Sequence, residues 1–112
     1  MRITTVLAVL TVRDLGGALS WYERLLGRPA DLRPMDGLAE WHLTDGGALQ
    51  VAEDPATAGR AYLTLAVDNL DATISDLNSR DLHVGEVVEG AVAKLATLHD
   101  PDGNAVTFAE PL

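Results

Sequence analysis

The chain has 112 residues, 47% of them apolar, which suits one domain with a core of its own. Seventeen acidic against eight basic side chains leave a net charge of −9, which disfavours nucleic acid and favours a cationic ligand, or simply keeps the surface soluble. With no cysteine, disulfides and thiolate metal sites are excluded, and a reducing cytoplasm is the expected compartment.

Residues 3–12, ITTVLAVLTV, are rich in β-branched side chains and predict a strand. The run is too short to span a membrane and lacks a small-residue cleavage site, so it reads as mature structure and not as a signal peptide. Asp14 stands where a helix N-cap would, its carboxylate able to accept free N–H groups of the first turn. Leu15, Ala18, Leu19, Tyr22 and Leu26 then recur at three- and four-residue steps, one face of a helix that Gly27 and Pro29 stop. Extended pieces are expected around 30–35, at 38–44 (LAEWHLT) and at 47–53 (GALQVAE), the last two joined by a turn at Asp45-Gly46-Gly47.

Past a connector at about 54–60, DPATAGR, the same order returns. A strand at 61–68 precedes a helix, NLDATISDLNSRDL, with Leu70, Ile74 and Leu77 on one face. The strands HVGEVV, AVAKLATLH and NAVTFAE follow, with the turn Asp100-Pro101-Asp102-Gly103 before the last. DGGALQVAED at 45–54 and DGNAVTFAEP at 102–111 share Asp, Gly, two alanines and a glutamate at matching offsets. Leu10-Thr11-Val12-Arg13-Asp14-Leu15 is likewise echoed by Leu65-Ala66-Val67-Asp68-Asn69-Leu70. One α+β domain is therefore expected, built from two tandem βαβββ modules at about 1–53 and 61–112, each too short to fold well alone. Gly46 and Gly103 are expected in left-handed conformation at the hairpin turns, without a phosphate-binding role, because no helix N-terminus follows.

VLTVRDLGGALSWYERLLG near the start and HDPDGNAVTFAE near the end, with AVDNLDATISDL between them, resemble the vicinal-oxygen-chelate superfamily. This is the glyoxalase, bleomycin-resistance and dioxygenase group, and the resemblance covers nearly the whole chain. It implies two modules whose sheets meet edge to edge and curl into a cup, ligand inside and helices outside. It also implies a homodimer, often with the cup at or near the subunit interface. Metal-using members place ligands at four strand positions, which fall here on Leu7, Gln50, Tyr62 and Thr107. Leu7 has no lone pair and the two hydroxyls are poor ligands, so a metal-free site with no cofactor is expected.

Strand alternation populates the cup. Leu7 and Val9 on the first strand, and Tyr62 and Thr64 on its repeat, should face inward. So should Glu40, His42, Gln50, Thr97, His99 and Thr107, leaving Trp41, Leu49, Val51, Val106 and Phe108 beneath the helices. A one-residue slip would turn Trp41 into the cup, where it could stack on a flat ligand. Trp21, on an outer helix, suits the core or a dimer contact, and His83, at a helix–strand junction, suits solvent.

The polar inner residues admit several uses. Glu40 and a histidine suit general acid–base catalysis, or recognition of a basic group. His42, His99 and Glu40 together suit a displaced metal site. The plainest alternative leaves both histidines at a wet rim with no special task. Metal-independent binding of a small drug-like or natural-product ligand, cationic or aromatic, leads these readings. An enzyme of the same superfamily (lyase, isomerase, dioxygenase or thiol transferase) is the alternative, and an interaction module the third.

Overall fold

The computed structural model describes residues 1–112. The first module runs β1 (Val6–Val12), α1 (Leu15–Leu26), β2 (Leu32–Met35), β3 (Leu38–Thr44) and β4 (Gly47–Glu53). The second runs β5 (Tyr62–Ala66), α2 (Leu70–Ser79), β6 (Val88–Glu89), β7 (Ala93–His99) and β8 (Ala105–Pro111). Each module closes a four-stranded mixed sheet, ordered β1-β4-β3-β2 and β5-β8-β7-β6. In each, the first strand lies parallel to the fourth and the helix makes the crossover that a parallel pair requires. The α+β architecture and the tandem modules are those the sequence implies.

The repeated glutamate has a structural task. Glu53, at the end of β4, accepts the Leu15 N–H at 2.9 Å, and Glu110, in β8, accepts the Leu70 N–H at 2.7 Å. A carboxylate from the neighbouring strand thus satisfies one of the orphan donors that open each helix. Asp14 was the sequence's candidate for that job, but it makes no side-chain cap bond. Its counterpart Asn69 does, accepting the Ala72 N–H at 2.9 Å. Gly27 ends α1 in left-handed conformation, φ 76°.

Sheet edges depart from expectation in three places. β1 begins at Val6, not Ile3, because its partner strand starts at Gly47. Residues 83–87 do not join the second sheet as a strand: apart from the bond from Gly85 N–H to Thr97 C=O, pairing with β7 starts at Val88. Glycine there weakens an extended edge. Gly103 has φ 102°, as its turn requires, whereas Gly46 does not take positive φ. The ladder slips between His42 and Thr44, and this irregularity closes the first hairpin in place of a left-handed glycine.

One hydrophobic cluster draws on both modules. Leu10, Val12, Trp41, Leu49 and Val51 meet Leu15, Trp21 and Tyr22 of α1, and the same cluster takes in Leu63, Leu98, Val106 and Phe108. Trp41 is fully buried and donates Nε1–H to Arg28 C=O at 3.0 Å, so no slip carries it into the cup.

Polar atoms buried at the seam pin the modules together. Asn104 is inaccessible, accepts the Ala61 N–H at 2.9 Å and donates to Thr11 C=O at 2.8 Å. Its amide also donates to Asp100 at 2.8 Å, and Asp100 accepts the Tyr22 hydroxyl at 2.5 Å. Thr11 and Tyr22 belong to the first module, so this network latches one module to the other. Each member is satisfied, which is the condition for a buried polar cluster to add order without a penalty.

Candidate functional site

Register sets which side chains share a face. Across the first sheet, Leu7, Ala48 and His42 form one row, and Val9, Gln50 and Glu40 the next. Across the second, Tyr62, Ala105 and His99 form a row, followed by Thr64, Thr107 and Thr97. These rows lie on the faces opposite the helix-covered core residues of the same strands, where alternation puts them. Leu7 and Val9 are half exposed and Tyr62 is 90% exposed, so this part of the face is accessible to solvent.

The structure brings only some of these residues together. Gln50 donates its amide to one carboxylate oxygen of Glu40 at 2.8 Å, and His42 Nε2 meets the other at 2.8 Å. Glu40 is the buried member, at 9% exposure, while the His42 ring stands about half in solvent. The hydrogen bond from Gln50, then that with His42, holds the Glu40 carboxyl below the usual carboxylate range despite burial. The dyad is an ionised acid beneath an accessible imidazole.

His42 is fixed through its backbone as well. Its N–H donates to Asp31 at 2.7 Å, its carbonyl accepts from Arg28, and Arg28 closes the loop with an ion pair to Asp31 at 2.8 Å. The His42 N–H, and after it the guanidinium, hold the Asp31 carboxyl below its ordinary value. With Thr5, Leu7, Thr44 and Asp45, the dyad lines a cleft of about 480 Å³, the size of a small-ligand site.

The remaining candidates lie elsewhere. Thr97 and Thr107 join hydroxyls at 2.7 Å in the second sheet. Thr97 and His99 border a separate groove of about 490 Å³ beside Trp21 and residues 81–85. His99 therefore does not meet Glu40 and His42, and no three His, Asp or Glu side chains converge on a point that could hold a metal ion. The displaced metal site drawn from these three residues is not formed. His83 is exposed, paired with Asn78 and Asp81.

The four positions matched to metal ligands fit an ion no better. Leu7 is aliphatic, the Gln50 amide is turned onto Glu40, and the Thr107 hydroxyl is engaged by Thr97. Such a set lacks the three imidazole or carboxylate donors that catalytic ions ask for.

Asp31 and Arg28 escaped the sequence reading because they act through a loop. Asp100 and Asn104 escaped because burial of a polar turn has no local signature. The available signal was a break in the repeat, Asn104 standing where the first copy has Gly47.

No family model and no curated protein matches the chain. Among solved structures, a glyoxalase/bleomycin resistance protein from Catenulispora acidiphila is 35% identical, with a TM-score of 0.89 over 96% of this chain and 97% of that one. The chain belongs to the glyoxalase/bleomycin-resistance family. Its fold is that of the vicinal-oxygen-chelate superfamily inferred from the two motifs. More distant likenesses within that fold include an antibiotic-binding protein from a Streptomyces species, 24% identical, TM-score 0.82, covering 100% of this chain and 99% of that one. A bleomycin-binding protein solved with bleomycin is 22% identical, TM-score 0.71, covering 95% and 97%. No helix of this family member is long and apolar enough to cross a membrane.

Proposed function

We propose that this protein binds a small drug-like or natural-product molecule in its cup by shape and hydrogen bonding, without a metal or other cofactor. The observation that carries the reading is the cleft itself. It is lined chiefly by polar side chains, Thr5, Glu40, His42, Thr44 and Asp45, with Leu7 as its apolar wall, and Gln50 bonds Glu40 in place; a concavity with directed polar groups of this kind can orient a small ligand. The antibiotic-binding and bleomycin-binding neighbours support it by analogy of fold. The second sheet contributes Tyr62, Thr64, Thr97, His99 and Thr107 as further candidates for contact, and Val9 continues the first.

A thermal-shift panel of cationic and aromatic antibiotics tests the proposal. Saturating ligand at 100 times Kd should add about 2.7 kcal/mol of stability, a rise of several degrees. A flat response across the panel, with nothing small in the mass spectrum of the purified protein, would sink it.

Catalysis is the second reading, favoured by the ionised Glu40 beneath His42, a pair suited to acid–base work. Turnover of a bound compound, abolished by His42→Ala with binding retained, would replace sequestration with an enzyme.

We further propose a cytoplasmic homodimer of two-module chains. The absence of cysteine supports the compartment. Exposed apolar side chains at or shortly before strand starts, Ile3, Val6 and Val92 among them, support association, and sedimentation equilibrium decides it.

A further inference from the structure

The donor inventory of the cleft narrows what it can hold. Each Glu40 oxygen already has a partner, Gln50 Nε2 on one and His42 Nε2 on the other, both at 2.8 Å. An ionised carboxylate only accepts, so the His42 nitrogen that faces it must carry the proton. The lone pair of a neutral imidazole then sits on Nδ1, which has no partner within the chain, on a ring about half exposed at the cleft. Asp45, on the β3–β4 turn, lines the same cleft with a carboxylate. The fixed groups of the cleft are thus acceptors, and the Thr5 and Thr44 hydroxyls adapt to either role.

We propose that Glu40 fixes the proton of His42 on Nε2, turning Nδ1 into the acceptor with which the cup holds an N–H cation of its ligand, an ammonium or amidinium group, and that this hold is lost when His42 takes up a second proton. The inference rests on the cup being the binding site and adds the chemistry of its guest. Every charged group packed around His42 agrees with it. Glu40 on the same strand, Asp31 from the loop after α1 and Asp45 from the turn are carboxylates, while Arg28 is spent on Asp31 and on the His42 carbonyl. The β1 and β4 neighbours Leu7 and Ala48 are uncharged. An anion entering here meets negative charge, and only the Thr5 and Thr44 hydroxyls can turn to donate to it. A cation meets a lone pair with ionised carboxylates around it. Protonated His42 offers Nδ1–H in place of the lone pair and repels the same cation.

Two measurements on the full chain test this. Nitrogen-15 NMR of the histidine rings in the free protein should show His42 as the Nε2–H form at pH 7.5. Glu40→Gln should raise its Nδ1–H fraction while spectra away from the cleft stay unchanged. Titration with benzylammonium at pH 7.5 should then perturb His42 and Gln50 resonances, and benzoate should not. Benzylammonium should bind more weakly at pH 5.5 than at pH 7.5. A proton found on Nδ1, benzoate bound as well as benzylammonium, or an affinity independent of pH overturns the inference. If both probes are silent while the antibiotic panel finds an uncharged ligand in the cup, donor selectivity fails and ligand binding stands. A panel silent throughout removes the binding reading itself.

Discussion

On β3 and β4, Gln50, Glu40 and His42 make a hydrogen-bonded row on the open face, and on β7 and β8 the matching places hold Thr107, Thr97 and an unlinked His99. At the helix side the contrast reverses. The second module's turn buries Asp100 and Asn104 against Tyr22, whereas the matching residues are Leu43 and Gly47 on the first hairpin and Leu77 on the second helix. Both modules keep the strand order and the helix-opening glutamate. What was kept is what any βαβββ unit needs. What diverged was polar chemistry, placed towards solvent in one copy and within the seam in the other.

The largest effect should come from breaking the seam. Asp100→Ala strips the acceptor from the Tyr22 hydroxyl, the Asn104 amide and the Asp102 and Asn104 backbone N–H groups. A loss of about 3–5 kcal/mol is expected in urea unfolding, because several donors are orphaned at once. A loss under about 1 kcal/mol would mean the latch does not hold the modules.

Next comes the open face. For a ligand found by the panel, His42→Ala should weaken binding about tenfold, the worth of one hydrogen bond to a charged partner. The matching His99→Ala should leave it within about twofold. Equal losses in calorimetric titration would make the two sheets equivalent and erase the contrast.

Helix-opening glutamates should show the opposite pattern, alike in both copies. Glu53→Ala and Glu110→Ala are each expected to lower Tm by a few degrees, as lost caps do. A twofold or greater disparity would show that one helix end is otherwise satisfied.

The smallest effect is in acid. Bonding from the Leu70 N–H, and after it the Lys94 charge, holds the Glu110 carboxyl below its ordinary value against burial. The folded value is thus lower than the unfolded one, so its stabilisation is complete above the unfolded value and disappears as pH falls through the folded one. Glu110→Gln should flatten the fall in Tm between about pH 6 and pH 3. An unchanged acid limb would remove this carboxylate from the balance.

Much of this is legible in the sequence, because alternation and repetition are local signals. LAEWHLT and GALQVAE became β3 and β4 with the boundaries read from sequence, and parity put Trp41 in the core. Local reasoning failed where a partner distant in sequence decided the outcome. Asp14 lost its capping task to Glu53, which arrives from another strand. HVGEVV has strand composition but only its last residue, with Glu89, pairs regularly with β7. At the site, the Gln50–Glu40–His42 row follows from residue types and register together. The Arg28–Asp31 clamp on the His42 backbone does not, since it depends on how the loop after α1 folds back.

The position of Tyr22 also decides what the chain will report to light. Burial, and then the bond to Asp100, push its phenol well above the ordinary value, and its ring lies 4.8 Å from Trp21 and 6.3 Å from Trp41. Both indoles of the chain and one of its two phenols are therefore gathered beneath the helices, and the other phenol, Tyr62, stands in the open. Intrinsic fluorescence will register separation of the halves and stay nearly blind to occupancy of the cleft, so an extrinsic label near Tyr62 is the natural optical handle on the guest.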